Sequence, residues 1–113
     1  MGLEAISEIY MQFSVRKRSE GFIAPVLRPV HALRYLADCF EAGGQLLGMS
    51  GFHYLDNGGI QPDQSLEVDA DGFDTPEEFL DRIGGVILKN LNTNVVFEIA
   101  FAEQNTQNHP PAT

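Results

Sequence analysis

The run Thr75-Pro76-Glu77-Glu78 is the strongest helix start in this chain, and it constrains what the second half can fold into. Thr75 can cap a helix, Pro76 fits the first helical position, and Glu78 completes a capping box. The run predicts a helix that ends near Asn90. Gly84-Gly85 in its middle indicates a close approach to another backbone, or a kink. The residues expected to face the core are Phe79, Leu80, Ile83, Val86 and Ile87.

Alternation of apolar and polar residues predicts the strands. It is clear over 7–16 and again over 95–102, where β-branched and aromatic residues recur with period two. Residues 45–55 and 60–70 read as two further strands, joined by the turn signal Asp56-Asn57-Gly58-Gly59. In the first of these, Gly48 and Gly51 indicate a bulge.

A second helix is predicted over residues 30–42. Its apolar residues fall three and four apart, Pro29 suits its first turn, and Gly43-Gly44 suits its end. The stretch near 22–27 could form an extra short strand, which Pro25 and Pro29 limit to a sheet edge. Its apolar residues either pack over the core or offer a contact patch.

These elements predict a single α+β domain over residues 1–103. Their order is β-α-β-β-α-β, the ferredoxin-like pattern of an antiparallel sheet with two helices on one face. In a variant of this predicted fold, the sheet also contains the extra short strand near 22–27. Residues 104–113 are polar and end near Pro110-Pro111, and we expect a disordered tail there.

The charge of the chain limits its partners. A net charge of −9 over 113 residues disfavours nucleic acid and anionic lipid as direct ligands. The sequence has no run of eighteen apolar residues, so it predicts no membrane-spanning helix. The single cysteine, Cys39, cannot form an internal disulfide, and the N-terminus lacks the pattern of a signal peptide. We therefore expect a cytoplasmic protein.

The acidic residues are concentrated in one part of the sequence. Five of the seven basic residues lie within the first 34 residues, whereas residues 63–81 carry eight acids and no base. Part of this run, 67–78, nearly matches a calcium-binding loop, with glycine at its sixth position. Glu at its first position, Asp74 at its eighth and a preceding strand argue against calcium. The alternative is an acidic outer strand face followed by a capped helix.

The sequence contains no catalytic motif that we recognise, and we expect no metal or cofactor. The three histidines, His31, His53 and His109, do not have the spacing of a zinc site. A general base at His31 or His53 is conceivable, but no nucleophile motif accompanies either residue.

The sequence favours a non-enzymatic, acidic binding protein that neutralises a basic protein partner. An immunity protein that inhibits a toxic nuclease would have these features, because acidic side chains can occupy a cationic groove and steer the encounter. The predicted contact residues are Tyr54, Asp56, Glu67, Asp69, Asp71 and Asp74.

Two other functions remain open at this point. A dimeric ferredoxin-like domain could bind a small molecule or perform simple acid–base chemistry, with His53, Tyr54 and Glu98 as candidates. The chain could also be a structural or assembly subunit, a function that the sequence does not distinguish from that of an inhibitor.

Overall fold

The computed structural model describes residues 2–22 and 24–103, which form an α+β fold with a five-stranded antiparallel sheet and three helices. This architecture is compatible with the ferredoxin-like α+β fold that the sequence predicts. The tail predicted for residues 104–113 lies outside the described residues. Within the described ranges, no helix has the length and apolar character needed to cross a membrane.

After an added N-terminal helix, the order of the elements is β-α-β-β-β-α-β, in which the third strand of the predicted pattern is divided in two. The strands lie in the order β1-β5-β2-β3, and β4 pairs with β2. Since β5 occupies one side of β2, β3 and β4 share its other side. The bounds are α1 Leu3–Met11, β1 Val26–Leu27, α2 Pro29–Glu41, β2 Gln45–Tyr54, β3 Ile60–Pro62, β4 Val68–Asp69, α3 Pro76–Lys89 and β5 Val95–Ala102.

The predicted strand over residues 7–16 is wrong, because the first half of this segment belongs to helix α1, Leu3–Met11. Leu3, Ile6 and Tyr10 recur three and four residues apart, so a helix places them on one side. Ile6 and Tyr10 are buried and Leu3 packs against the core, whereas Ile9 and Phe13 of the predicted strand face are largely exposed. Packing against α2 therefore overrides the period-two pattern.

The short strand considered near residues 22–27 is present as β1, Val26–Leu27, at one edge of the sheet. Val26 pairs with Glu98 and Leu27 with Phe97 of β5. The outer side of β1 is occupied by Ser14 and Val15: the Val15 amide donates to the Val26 carbonyl. Because Val26 and Leu27 are fully buried, this part of the connection packs into the fold and does not form a contact patch.

Strands β2 and β5 form the centre of the sheet. They pair from His53 opposite Val95 to Gln45 opposite Ala102. A register shift between Leu46 and Gly48 confirms the bulge expected in this strand. The helix-facing side of β5 carries the apolar residues that the alternation predicts, namely Val95, Phe97, Ile99 and Phe101.

The predicted strand over residues 60–70 is divided into β3 and β4 by a 3-10 turn, Gln64–Leu66. Pro62 has no amide hydrogen to continue the ladder, and the Asp63 carboxylate accepts a bond from the Ser65 amide that starts the turn. Val68 is buried and Asp69 is exposed, as the alternation predicts. The acidic segment thus lies at an edge of the sheet, where its carboxylates stay in water.

Helices α2 and α3 confirm the two helix predictions. Pro29 opens α2, and Thr75 caps α3, whose first turn contains Pro76. The Thr75 hydroxyl accepts a 3.1 Å bond from the Glu78 amide. Both helices, together with α1, contribute to one apolar core on a single face of the sheet, and its members include Leu27, Tyr35, Leu36, Phe79, Ile83, Ile87, Phe97 and Ile99.

Candidate binding surfaces

An exposed strip of carboxylates runs from β4 through the following loop into the first turn of α3. We call it the acidic edge. All six of its acids are exposed, and none forms a salt bridge with a base in the described part of the chain. Its members are Glu67, Asp69, Asp71, Asp74, Glu77 and Glu78.

Local hydrogen bonds hold the backbone of the acidic edge in place. Asp69 accepts a 3.0 Å bond from the Asp71 amide, which fixes the turn after β4. Gly72 follows with a φ of 90°, a left-handed conformation that favours glycine. Glu78 then accepts a 3.2 Å bond from the Asp74 amide, one residue before the predicted capping-box partner. Asp69 and Glu78 thus support the loop, and the other carboxylates project without such a role.

The calcium interpretation of residues 67–78 gains no support from this geometry. Among residues 2–22 and 24–103, no group of three or more His, Cys, Asp or Glu side chains is placed to hold a metal ion. Two carboxylates of this run, Asp69 and Glu78, accept hydrogen bonds from backbone amides of the same loop. The loop has the form of the alternative: an exposed strand edge followed by a capped helix.

Tyr54 and Asp56 lie apart from the other predicted contact residues. Asp69 pairs with Gly48, which lies six residues from Tyr54 along β2. Six residues of a strand span about 20 Å, so Asp69 and Tyr54 are separated by about that distance. The guanidinium of Arg28 lies 5.0 Å from the centroid of the Tyr54 ring. In the same region, Arg16 donates a hydrogen bond to the carbonyl of Gly58. This end of the sheet therefore has mixed charge. Of the six residues predicted to contact a partner, the acidic edge contains four.

The three residues considered for acid–base chemistry do not form one site. His53 and Tyr54 are consecutive in β2, so their side chains point to opposite faces of the sheet. Glu98 shares the face of Tyr54 but pairs with Ser50, four residues away along β2. That separation is about 13 Å along the strand.

His53 instead pairs with a carboxylate at the edge of the sheet. Its Nε2 lies 2.7 Å from Oδ2 of Asp63, and the Ser65 hydroxyl donates a 2.7 Å bond to Oδ1 of the same carboxylate. The bonds from Ser65 and His53 lower the pKa of Asp63. Because Asp63 stands between them, the histidine is not placed to take a proton from the serine. The arrangement stabilises the turn and lacks the geometry of an activated nucleophile.

Glu98 is an acid that is partly shielded from water. It lies in the middle of β5, half-buried, with Val26 on one side and Ser50 on the other. Burial raises the pKa of its carboxyl above the ordinary range. It lines a shallow depression of about 200 Å³ together with Glu67 and Asp69. The helix-free face of the sheet thus continues the negative surface of the acidic edge.

An aromatic pocket, not predicted from the sequence, adjoins the acidic edge. We call it the phenylalanine pocket. It has a volume of about 430 Å³, and Phe40, Phe73 and Phe79 contribute to its walls. Phe73 and Phe79 stack with ring centroids 5.3 Å apart and planes inclined by 24°. Asp74 and Glu77 stand beside these rings. The one local signal in the sequence is Phe73, an aromatic residue within the acidic loop.

A larger groove separates α1 from α2, with a volume of about 590 Å³. Ile9 and Phe13 line it and are 45% and 42% exposed. Phe13 stacks on the ring of His31, with centroids 4.3 Å apart. Sequence reasoning missed this groove because it assigned a strand to the residues of α1. The polar side chains along it include Gln12, His31, Arg34, Asp38 and Glu41.

The fold and its surfaces define a small α+β domain with an acidic edge beside an aromatic pocket. No protein-family model matches the chain, and no curated protein matches its sequence. The functional argument therefore depends on the surfaces themselves.

Proposed function

We propose that this chain is a binding protein whose acidic edge docks on a basic protein partner. The observation that supports this function is the row of six exposed carboxylates without a salt bridge to a base of the described chain. In its specific form the proposal is an immunity protein that inhibits a toxic nuclease in the cytoplasm. Neither a catalytic group nor a cofactor is required for this function.

The physical basis is electrostatic complementarity. Carboxylates on a rigid edge set up a field that raises the association rate of a cationic partner and orients it. A nuclease presents a basic groove to the phosphates of its substrate, and an acidic edge can occupy that groove in place of nucleic acid. Such binding weakens as salt screens the charges.

Tyr54 and Asp56 can belong to the same interface if the partner spans the sheet. A standard interface buries about 800 Å² on each side, a patch nearly 30 Å across. The distance of about 20 Å from Asp69 to Tyr54 falls within that width. The mixed charge around Tyr54 makes it a peripheral contact in this proposal, with Glu67, Asp69, Asp71 and Asp74 at the centre.

Capture of a partner from the source cell tests the proposal. Tagged protein is used at low and at moderate salt, beside a Glu67→Lys, Asp71→Lys double variant. These two side chains are exposed, and we find no hydrogen bond from either within the described residues. We expect a basic protein to be retained at low salt, released at moderate salt and lost from the variant.

The matched control is Glu4→Lys with Glu41→Lys, which makes the same change in net charge on exposed residues of the two N-terminal helices. The control should retain the partner. Equal loss from both variants would show that only net charge matters and would refute docking at the acidic edge. The nuclease form requires in addition that one equivalent of the chain abolishes DNA or RNA cleavage by the captured protein.

Binding of a small molecule is the second candidate, and the groove between α1 and α2 is the observation that favours it. Its volume of about 590 Å³ lies within the range of ligand pockets. The fluorescent dye 1-anilinonaphthalene-8-sulfonate is a suitable probe. Ile9→Gln should reduce its fluorescence, and Leu88→Gln, at another exposed apolar position on α3, should not. Equal effects would count against this function.

A further inference from the structure

We propose that the phenylalanine pocket receives an arginine side chain of the partner, an inference that deepens the proposed function and rests on it. The pocket lies directly against the acidic edge and is formed by the end of α2, the start of β2, the loop before α3 and the start of α3. An arginine that entered it would contact aromatic rings within the pocket and carboxylates at its border.

The aromatic walls suit a planar cation. Phe79 is buried and fixed by the core, and Phe73 stacks on it while remaining partly exposed. A guanidinium that lies on such a ring gains a cation–π contact. Arginine is more weakly hydrated than lysine and stacks on aromatic faces, so it is the better occupant of a pocket that is only partly open to water.

The charges at the pocket favour the same occupant. Asp74 and Glu77 both line it, and no hydrogen bond or salt bridge of either carboxylate is found among the described residues. The N-terminus of α3 contributes roughly half a positive charge, which opposes a cation. Two full negative charges from Asp74 and Glu77 outweigh it. The capping of α3 uses Thr75 and Glu78, which leaves the carboxylates of Asp74 and Glu77 without a capping role.

Titration of the full chain with N-acetyl-arginine amide, followed by amide chemical shifts, tests the proposal. N-acetyl-citrulline amide is the matched probe, since it has nearly the same shape and no charge. We expect the arginine derivative to shift the amides of Phe73, Asp74 and Glu77 and the citrulline derivative to leave them unchanged. Equal shifts with both probes would overturn a cation site, and arginine-induced shifts confined to other surfaces would overturn its location.

Three variants examine the named contacts. Asp74→Asn and Glu77→Gln each remove one charge, and Phe73→Leu removes the ring while it keeps an apolar side chain. Each should weaken binding of the arginine derivative about two- to fivefold. The matched control is Glu67→Gln with Asp71→Asn, which removes two charges of the acidic edge outside the pocket. If the control weakens binding as much as Asp74→Asn with Glu77→Gln, the attraction is diffuse and the proposal is refuted.

The two proposals fail separately. Binding of the arginine derivative at the pocket, without any salt-sensitive partner, supports the pocket and refutes the proposed function. The opposite result is also possible. If the chain captures a basic partner, Glu67→Lys with Asp71→Lys abolishes that capture, and the pocket amides do not respond to the arginine derivative, then the function is supported and the pocket is refuted.

Discussion

The hydroxyl of Tyr10 on α1 donates a 2.7 Å hydrogen bond to Oδ2 of Asp38 on α2. The Tyr10 ring also packs edge-on against Tyr35, with centroids 5.2 Å apart. This hydrogen bond and this aromatic contact tie the added N-terminal helix to the rest of the core. One part of this attachment, the hydrogen bond, depends on a single hydroxyl that can be removed.

Replacement of this hydroxyl by Tyr10→Phe should destabilise the fold by about 1 kcal/mol, the usual contribution of one hydrogen bond. The measurement is urea unfolding at pH 7. Tyr54→Phe is the control, since no hydrogen bond of the Tyr54 hydroxyl is found among the described residues. A loss of equal size in both variants would mean that the bond to Asp38 contributes nothing specific.

The same hydroxyl predicts a response to alkaline pH. Burial, and then the hydrogen bond to Asp38, raise the pKa of Tyr10 to about 12, from about 10 in an unfolded chain. A group whose pKa is raised on folding contributes stability that is complete below the unfolded pKa and is lost as the pH rises through the folded pKa. The difference in stability between the wild type and Tyr10→Phe should therefore shrink between pH 10 and 12. A constant difference across this range would contradict the assignment.

The glycines in the middle of α3 predict a gain in stability. An added Cβ at Gly84 or Gly85 would meet no heavy atom within 4 Å. A close backbone approach within the described chain therefore does not explain them. Alanine avoids the entropic cost of glycine in a helix, so Gly84→Ala and Gly85→Ala should each stabilise the fold by about 0.5–1 kcal/mol.

The contrasting control is Gly51→Ala in β2, where an added Cβ would overlap the side chain of Leu66. Overpacking of this kind should cost about 1–3 kcal/mol. Thermal unfolding of the three variants separates the cases. Destabilisation by Gly84→Ala would show that α3 needs a glycine there for a reason other than free space.

The sequence predicts the parts of this fold that are encoded locally. The start of α3 depends on Thr75 and Pro76, and the alternation of β5 depends on neighbours within one strand, so both predictions are confirmed. Residues 7–16 satisfy the strand pattern and overlap a helical stripe of Leu3, Ile6 and Tyr10. The structure chooses the helix because α2 offers a surface to bury that stripe.

The candidate site shows the same limit. The acidic edge is visible in the sequence because its members are close along the chain. The phenylalanine pocket is not, because Phe40 comes from α2 and Phe73 from the loop before α3. The distance between Tyr54 and Asp69 is also a tertiary property, since it follows from the pairing of β4 with the early part of β2. Proximity of that kind requires the strand order.

The cap of α3 connects stability to the acidic edge. Thr75→Ala removes the acceptor for the Glu78 amide and should destabilise the fold by about 1 kcal/mol. Thr75→Ser keeps a hydroxyl and should retain most of the stability. Urea unfolding compares the two variants. Equal losses would mean that the methyl group of Thr75, and not its hydroxyl, stabilises this turn.

The half-buried carboxylate of Glu98 is held in the middle of the sheet without a salt bridge to a base among the described residues. Burial raises its pKa above the unfolded value. Its contribution to stability is therefore largest at low pH and is lost as the pH rises through the folded pKa. At pH 7, which is above the unfolded pKa, this carboxyl opposes folding, and Glu98→Gln should raise Tm by about 2–4 °C. Glu67→Gln, at an exposed position nearby, should leave Tm unchanged. A decrease in Tm for Glu98→Gln would show that the carboxylate makes a stabilising interaction in solution, which would contradict burial as the dominant influence on this group.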